Sequence, residues 1–134
     1  MSAKENRAAT KRVFEALSQG DLTAAQKVLG PGLQEGANAS AKAAKRALPD
    51  VKIELEDMVA EGDKVVARWR ATGTHKGAAK HAFFGSVKGS GKALDVEGIT
   101  ILRFEGGSVV ETWGLTDELG AAKQVGLVRP RRTG

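Results

Sequence analysis

Residues 49–69 read PDVKIELEDMVAEGDKVVARW, and the change of rhythm inside them decides the fold. Val51, Ile53 and Leu55 alternate with Lys52, Glu54 and Glu56, the two-residue period of a strand with one wet face. Glu61-Gly62-Asp63 supplies a turn, and Lys64–Thr74, rich in Val, Trp and Thr, predicts a second strand running back.

Before Pro49 the rhythm is helical. Ala9, Val13, Phe14 and Leu17 make a stripe over 5–18, with Arg7, Lys11, Arg12 and Glu15 mostly off it. Gly20 ends this helix and Asp21 is placed to cap the next, which carries Leu22, Ala25, Val28 and Leu29 and stops at Gly30-Pro31. Residues 37–48, ANASAKAAKRAL, have high helix propensity and little bulk, and Pro49 closes them.

Beyond the second strand, residues 75–92 read as a long Gly/Lys loop interrupted by Phe83-Phe84. Strand character returns over 93–104, with Gly98 expected as a bulge because the alternation slips there. Glu105-Gly106-Gly107 is a turn, 108–117 the last strand, and 118–128 a short helix or tail before a frayed RPRRTG. Helices followed by a four-strand antiparallel meander predict an α+β fold, with the helices packed on one face of a curved sheet.

With 134 residues, the chain is expected to form one domain over 1–134, with 129–134 as a basic tail. Cysteine is absent, which excludes thiol catalysis, iron–sulfur clusters and Cys-ligated zinc. No apolar run of about 18 residues exists and MSAKENRAATKR lacks a signal peptide's apolar stretch, so no membrane partner and a cytoplasmic location are expected. The net charge of +5 resides mainly on the termini and the 75–98 region, while 99–118 is acidic. No basic face with interleaved aromatics is evident, so no nucleic-acid partner is expected. Residues 85–93, GSVKGSGKA, imitate a phosphate loop, but the required first Gly falls on Ser86 and Ala93 replaces the magnesium-binding hydroxyl.

Several stretches together resemble the SnoaL-like polyketide cyclase family, whose fold is the nuclear transport factor 2-like cone. They are Leu48-Pro49-Asp50, Ala60 through Trp69, Gly73-Thr74-His75-Lys76-Gly77, Ser90-Gly91-Lys92, Gly98-Ile99 running into Arg103-Phe104, and Val110-Glu111-Thr112-Trp113 followed by Asp117. Gly20-Asp21-Leu22 and Lys123-Gln124-Val125-Gly126 also fit. The resemblance implies a bent sheet wrapped around a pocket that the N-terminal helices close, and a homodimer through the sheet's outer face. It also implies a cofactor-free acid/base site for intramolecular aldol closure of a polyketide ester, with Asp117 at the position of the family's catalytic aspartate. Two departures stand out: the Ala-rich 31–48 stretch offers only Gln34, Asn38 and Ser40 as polar groups, and the loop after His75 is longer than usual.

The residues themselves allow a chemical role for Asp117 and also the role of an N-cap to the following ELGAAK. Strand parity sets Val109, Glu111, Trp113, Leu115 and Asp117 on one side unless a bulge intervenes. His75 is the second proton-transfer candidate, as partner acid or as a strand-end histidine bonded to the backbone. His81 reads as a solvated loop residue, and no metal site is expected. Trp113, Phe14, Trp69, Phe83 and Phe84 are the candidate substrate-binding aromatics, Trp113 as wall and Phe83-Phe84 as lid of an apolar pocket. Arg103 and Glu111 read as a cross-strand ion pair. Two functions compete: a cofactor-free cyclase, isomerase or hydratase acting on a small apolar, polyketide-like carbonyl compound, or a non-catalytic small-molecule binding module.

Overall fold

The computed structural model describes residues 2–129 and 131. The basic tail assigned to 129–134 therefore lies partly outside the described residues. Helix α1 (Ala3–Ser18) opens on a capping box in which the Ser2 side chain and Glu5 satisfy each other's backbone N–H groups. Its buried face carries Ala9, Val13 and Phe14, as the stripe predicts. Gly20, at φ 73°, reverses the chain, and Asp21 caps the short α2 (Leu22–Gln26) by accepting from the Ala24 N–H at 3.0 Å.

The third helix departs from expectation. It spans Pro31–Ala47, six residues longer at its N-terminus than the propensity pattern shows. Pro31 begins it, because the first helical position needs no N–H donor and proline's φ already suits the helix. Asp50, past its C-terminus, accepts from the Thr74 N–H at 2.7 Å and the Thr74 hydroxyl at 3.0 Å. Those bonds, the backbone one first, hold the Asp50 carboxyl below its ordinary value and tie the helix exit to the end of a strand.

Strands β1 (Lys52–Glu61), β2 (Lys64–Thr74), β5 (Ala93–Glu105) and β6 (Ser108–Thr116) form the antiparallel sheet, in the order β1-β2-β5-β6. The long Gly/Lys loop is not structureless: β3 (Ala79–His81) and β4 (Gly85–Val87) pair within it as a separate hairpin. Helix α4 (Glu118–Gln124) follows β6. Rows of partners across the strands define two faces. Val65, Leu102 and Ala67 point inward onto α1 and pack with Phe14, Phe104 and Val109. Val59, Val66, Ile101 and Trp113 form one row on the outer face. A parallel bridge between Leu29 and Val109 fastens the segment after α2 to β6, with Gly30 N–H on the Val109 carbonyl at 2.8 Å.

Gly98 is not a bulge. The β2–β5 register runs unbroken from Lys64↔Arg103 to Thr74↔Ala93. The alternation looks broken because Ile99 and Ile101 are apolar residues on the outer face. The interruptions in register lie elsewhere, where Glu56 and Val110 are each an extra residue in their strand. Gly98 instead makes room for its cross-strand partner: a Cβ there would stand 2.2 Å from Trp69 Cζ2. The Trp69 indole lies over Gly98 and donates to Thr100 Oγ1 at 2.9 Å. Gly98→Ala is expected to cost about 1–3 kcal/mol by overpacking, measured as a lower midpoint of chemical denaturation with an unchanged slope. A midpoint equal to that of the unsubstituted chain would contradict this packing.

Candidate functional site

Above the Trp69 indole the inner face is not filled. A cavity of about 230 Å³ opens there, walled by Ala44, Ala47 and Leu48 at the end of α3 and by Ala71, Leu94 and Val96 on the sheet. The small side chains of α3 are what leave this space. The same helix propensity that an Ala-rich sequence provides comes without the bulk that would fill it.

His75 lines this cavity and is only 2% exposed. Its backbone is pinned at both ends, N–H to the Lys92 carbonyl at 2.9 Å and C=O from the Gly91 N–H at 2.7 Å. Its ring Nδ1 accepts the Ser90 backbone N–H at 3.3 Å and lies 3.0 Å from the Ser90 hydroxyl. A backbone amide can only donate, so Nδ1 must present a lone pair and the neutral ring carries its proton on Nε2. That Nε2 is buried and has no hydrogen-bond partner among the described residues. The result is a fixed donor without an acceptor beside an apolar cavity.

A second imidazole lines the same cavity. The loop histidine expected in solvent, His81, has a side chain only 11% exposed. Its Nδ1 accepts two backbone N–H groups, from Phe83 at 3.0 Å and Phe84 at 3.3 Å, so its proton also sits on Nε2. Nε2 faces Glu118, 2.9 Å from the backbone carbonyl and 3.2 Å from carboxylate Oε2. The β3–β4 hairpin turns His81 inward, a placement hidden by reading 75–92 as plain loop. Glu118, next to Asp117 in sequence, also lines the cavity and was likewise missed.

The remaining candidates lie elsewhere. Asp117 is exposed and caps α4, Oδ1 accepting from the Gly120 N–H at 2.8 Å. Asp117 and Trp113 do share a groove, but it lies on the outer face with Ile99, Ile101 and Leu115. The extra residue Val110 is the cause: it leaves Val109 fully buried and sends Glu111, Trp113 and Leu115 to the other side. Trp113 is therefore not a wall of the inner cavity, and Lys64 Nζ sits 5.8 Å from its ring. Phe14 belongs to the packed core under the sheet and borders a separate hollow with Ser18 and Glu54. Phe83, 84% exposed, and Phe84 form an edge-to-face pair at the hairpin tip and do not line the cavity. Of the aromatics read from sequence, Trp69 is the one in the cavity wall. Arg103 does pair with Glu111 across the strands, Nε to Oε1 at 2.7 Å, and also with Glu105 at 2.9 Å. Glu105, and then Glu111, raise its guanidinium above the ordinary value. Among the described residues no three His, Asp or Glu side chains converge as a metal site would need.

Comparison with known proteins bears on what such a cavity does. Residues 6–125 match the family model for SnoaL-like polyketide cyclase. The chain belongs to the SnoaL-like polyketide cyclase family. TsrD from Streptomyces laurentii is similar at 25% identity and a TM-score of 0.83, over 96% of this chain and 99% of TsrD. AclR from Streptomyces galilaeus is similar at 24% identity and a TM-score of 0.81, over 96% of this chain and 89% of AclR. A nuclear transport factor 2-like protein of unknown function from Burkholderia pseudomallei shares the fold at 15% identity and a TM-score of 0.70, over 93% of this chain and 98% of its own. No curated protein matches the chain. Membership of the SnoaL-like family supports a polyketide cyclase type of function and small polyketide-type substrates. Among the described residues no helix is long and apolar enough to cross a membrane.

The tautomers are directly checkable. Long-range nitrogen–proton NMR at neutral pH is expected to show both histidines of the chain with the proton on Nε2 and a bare Nδ1. A proton on Nδ1 of His75 would contradict the Ser90 contact and the donor it creates.

Proposed function

We propose that this SnoaL-like chain is a cofactor-free acid/base catalyst, a cyclase of the intramolecular aldol type, acting on a small, mainly apolar carbonyl compound held beside Trp69 and His75. One observation carries the reading: the buried, unpartnered Nε2 of His75. Leaving such a donor unmade costs about 1–3 kcal/mol, and a ligand carbonyl oxygen is the neutral acceptor that relieves it. As an α-proton leaves, negative charge collects on that oxygen. A donor already fixed in apolar surroundings then stabilises the transition state more than the ground state. The enolate carbon attacks a second carbonyl of the same molecule and closes the ring, and the alkoxide so formed takes back the proton held by the base.

For the proton acceptor we assign Asp117, on its position in the family pattern. Asp117 stands in the outer groove as the cap of α4, so it serves the cavity only on leaving that cap, while its neighbours Thr116 and Glu118 already line the cavity. Leaving the cap of α4 costs about 1 kcal/mol, small against the ~100-fold or greater effect of a general base. Asn caps a helix as well as Asp does, so Asp117→Asn isolates the chemistry from the fold. The probe is 2-tetralone in D2O, with exchange of its α-hydrogens followed by proton NMR. The unsubstituted chain is expected to accelerate exchange over buffer, and Asp117→Asn to slow it about 100-fold with little change in melting temperature. Equal exchange by the variant would remove Asp117 from the reaction. The alternative, a binding module on the same fold, draws on the engagement of Asp117 as a cap and predicts that 2-tetralone binds without exchange.

We also infer a homodimer through the outer face of the sheet. Val59, Ile99, Trp113 and Leu115 are 63%, 45%, 46% and 82% exposed there, an apolar surface unusual for a lone subunit. Arg68 and Glu97, paired at 3.5 Å, border it with both signs of charge, which suits contact with a second copy of itself. Sedimentation of the unsubstituted chain is expected to give a dimer and Leu115→Glu a monomer with unchanged circular dichroism. A monomer without any substitution would dispose of the interface.

A further inference from the structure

The cavity has polar groups of opposite sense. His75 offers a donor, while Glu118 offers an acceptor, and most of the wall between them is apolar: Ala44, Ala47, Ala71, Leu94 and Val96. Lys80 also borders the cavity, but its side chain stands on the exposed parity of β3 between the half-buried Ala79 and His81.

We infer that His81 and Glu118 form a second polar anchor of this cavity, and that it recognises a hydroxyl group carried by the ligand in addition to the carbonyl that meets His75. This rests on the reading of the cavity as a carbonyl site. The argument begins with the His81 ring. Two backbone N–H groups, from Phe83 and Phe84, occupy its Nδ1, so a second ring proton would be set against both of them. Nδ1 therefore presents its lone pair to the hairpin backbone and the ring N–H is turned to Glu118, and Phe84 packs on the ring with centroids 5.2 Å apart. That N–H donates to the Glu118 backbone carbonyl at 2.9 Å and so ties the first residue of α4 to the hairpin, with carboxylate Oε2 standing 3.2 Å from Nε2. Oε1 has no hydrogen-bond partner among the described residues. An ionised carboxylate only accepts, so the group it selects must donate. A ligand carboxylate would meet like charge, whereas an alcohol or phenol fits. His81 is a positioning residue in this arrangement, and Glu118 is the group that touches the ligand. Neither helix propensity nor capping accounts for the inward contact between a hairpin histidine and the first residue of α4.

The test compares the affinities of 2-tetralone and its four ring-hydroxylated derivatives, by titration calorimetry. The unsubstituted chain is expected to bind at least one hydroxylated probe about tenfold tighter than 2-tetralone, the scale of one charge-assisted hydrogen bond at a carboxylate that is half exposed. Glu118→Ala is expected to erase that preference, so that 2-tetralone and its hydroxylated derivatives bind alike. If the Ala variant loses both probes, Glu118→Gln, of the same shape, decides: a reduced preference with 2-tetralone retained supports the anchor, and any other result overturns it. No hydroxyl preference in the unsubstituted chain, or a preference that survives Glu118→Ala, also overturns it. Failure of 2-tetralone itself to bind the unsubstituted chain removes the carbonyl-site reading and this anchor together, so the two failures are told apart.

Discussion

The contact between Trp69 and Gly98 divides the inner face of the sheet into a packed half and an empty half. The indole lies across the glycine because nothing larger than hydrogen fits beneath it, and its N–H is satisfied by Thr100, so the ring has one position. On one side Val65, Ala67, Leu102, Phe104 and Val109 close up against α1 as a conventional core. On the other side the same ring is the wall of a cavity whose far boundary is the alanine face of α3. A β-branched residue at 98 would collide with the indole and displace it. Core and site therefore share a single side chain, and the sheet can be rigid immediately beside the space it leaves open.

Each of the two imidazoles bordering that space has its Nδ1 fixed by backbone N–H groups. His75 is held by Lys92 and Gly91 through its main chain and by Ser90 through its ring; His81 is held by the N–H groups of Phe83 and Phe84. Backbone donors cannot change protonation state, so each imidazole is confined to one tautomer by groups that have no alternative. The long segment 75–92, which carries both histidines, is itself anchored. Lys76 and Gly77 both donate to the Ala47 carbonyl, and Gly77 approaches the Arg46 carbonyl so closely that a Cβ would stand 2.0 Å from it. Loops commonly carry function on a rigid scaffold, and here the loop is made rigid by the end of α3.

What could be read from the chain follows from the range of the interactions involved. The period of two in β1, the span of β2, the Asp21 cap and the order of the meander are written in neighbours two to four residues apart, and they appear as expected. Gly98 misled because its reason lies in Trp69, 29 positions away in the chain, and because Ile99 and Ile101 put apolar residues on the outer face. Trp113 and Asp117 were grouped correctly with each other, but parity fixes only which residues share a face, not which face it is. One extra residue, Val110, decides that, and a Val-Val pair bears no mark distinguishing a bulge from regular strand. His81 and Glu118 stand 37 positions apart, so their meeting depends on a hairpin that short strands inside a Gly-rich loop conceal.

The corner at which β6 passes into α4 shows why adjacent carboxylates need not be equivalent. Asp117 and Glu118 carry the same charge, yet one borders the outer groove and the other the inner cavity, because the chain there leaves a strand and enters a helix. The Asp117 cap aligns the first turn of α4, and through that turn it sets where Glu118 stands relative to His81. Capping and site chemistry are thus coupled at this corner: a change that loosens the cap also displaces the acceptor one residue along. Asparagine at 117 can preserve that alignment while withdrawing the charge, whereas alanine would disturb both. A loss of function on replacing Asp117 by alanine alone would therefore be uninformative about which carboxylate meets the ligand. The distinction lies in comparing the cap-preserving substitution with substitution at 118.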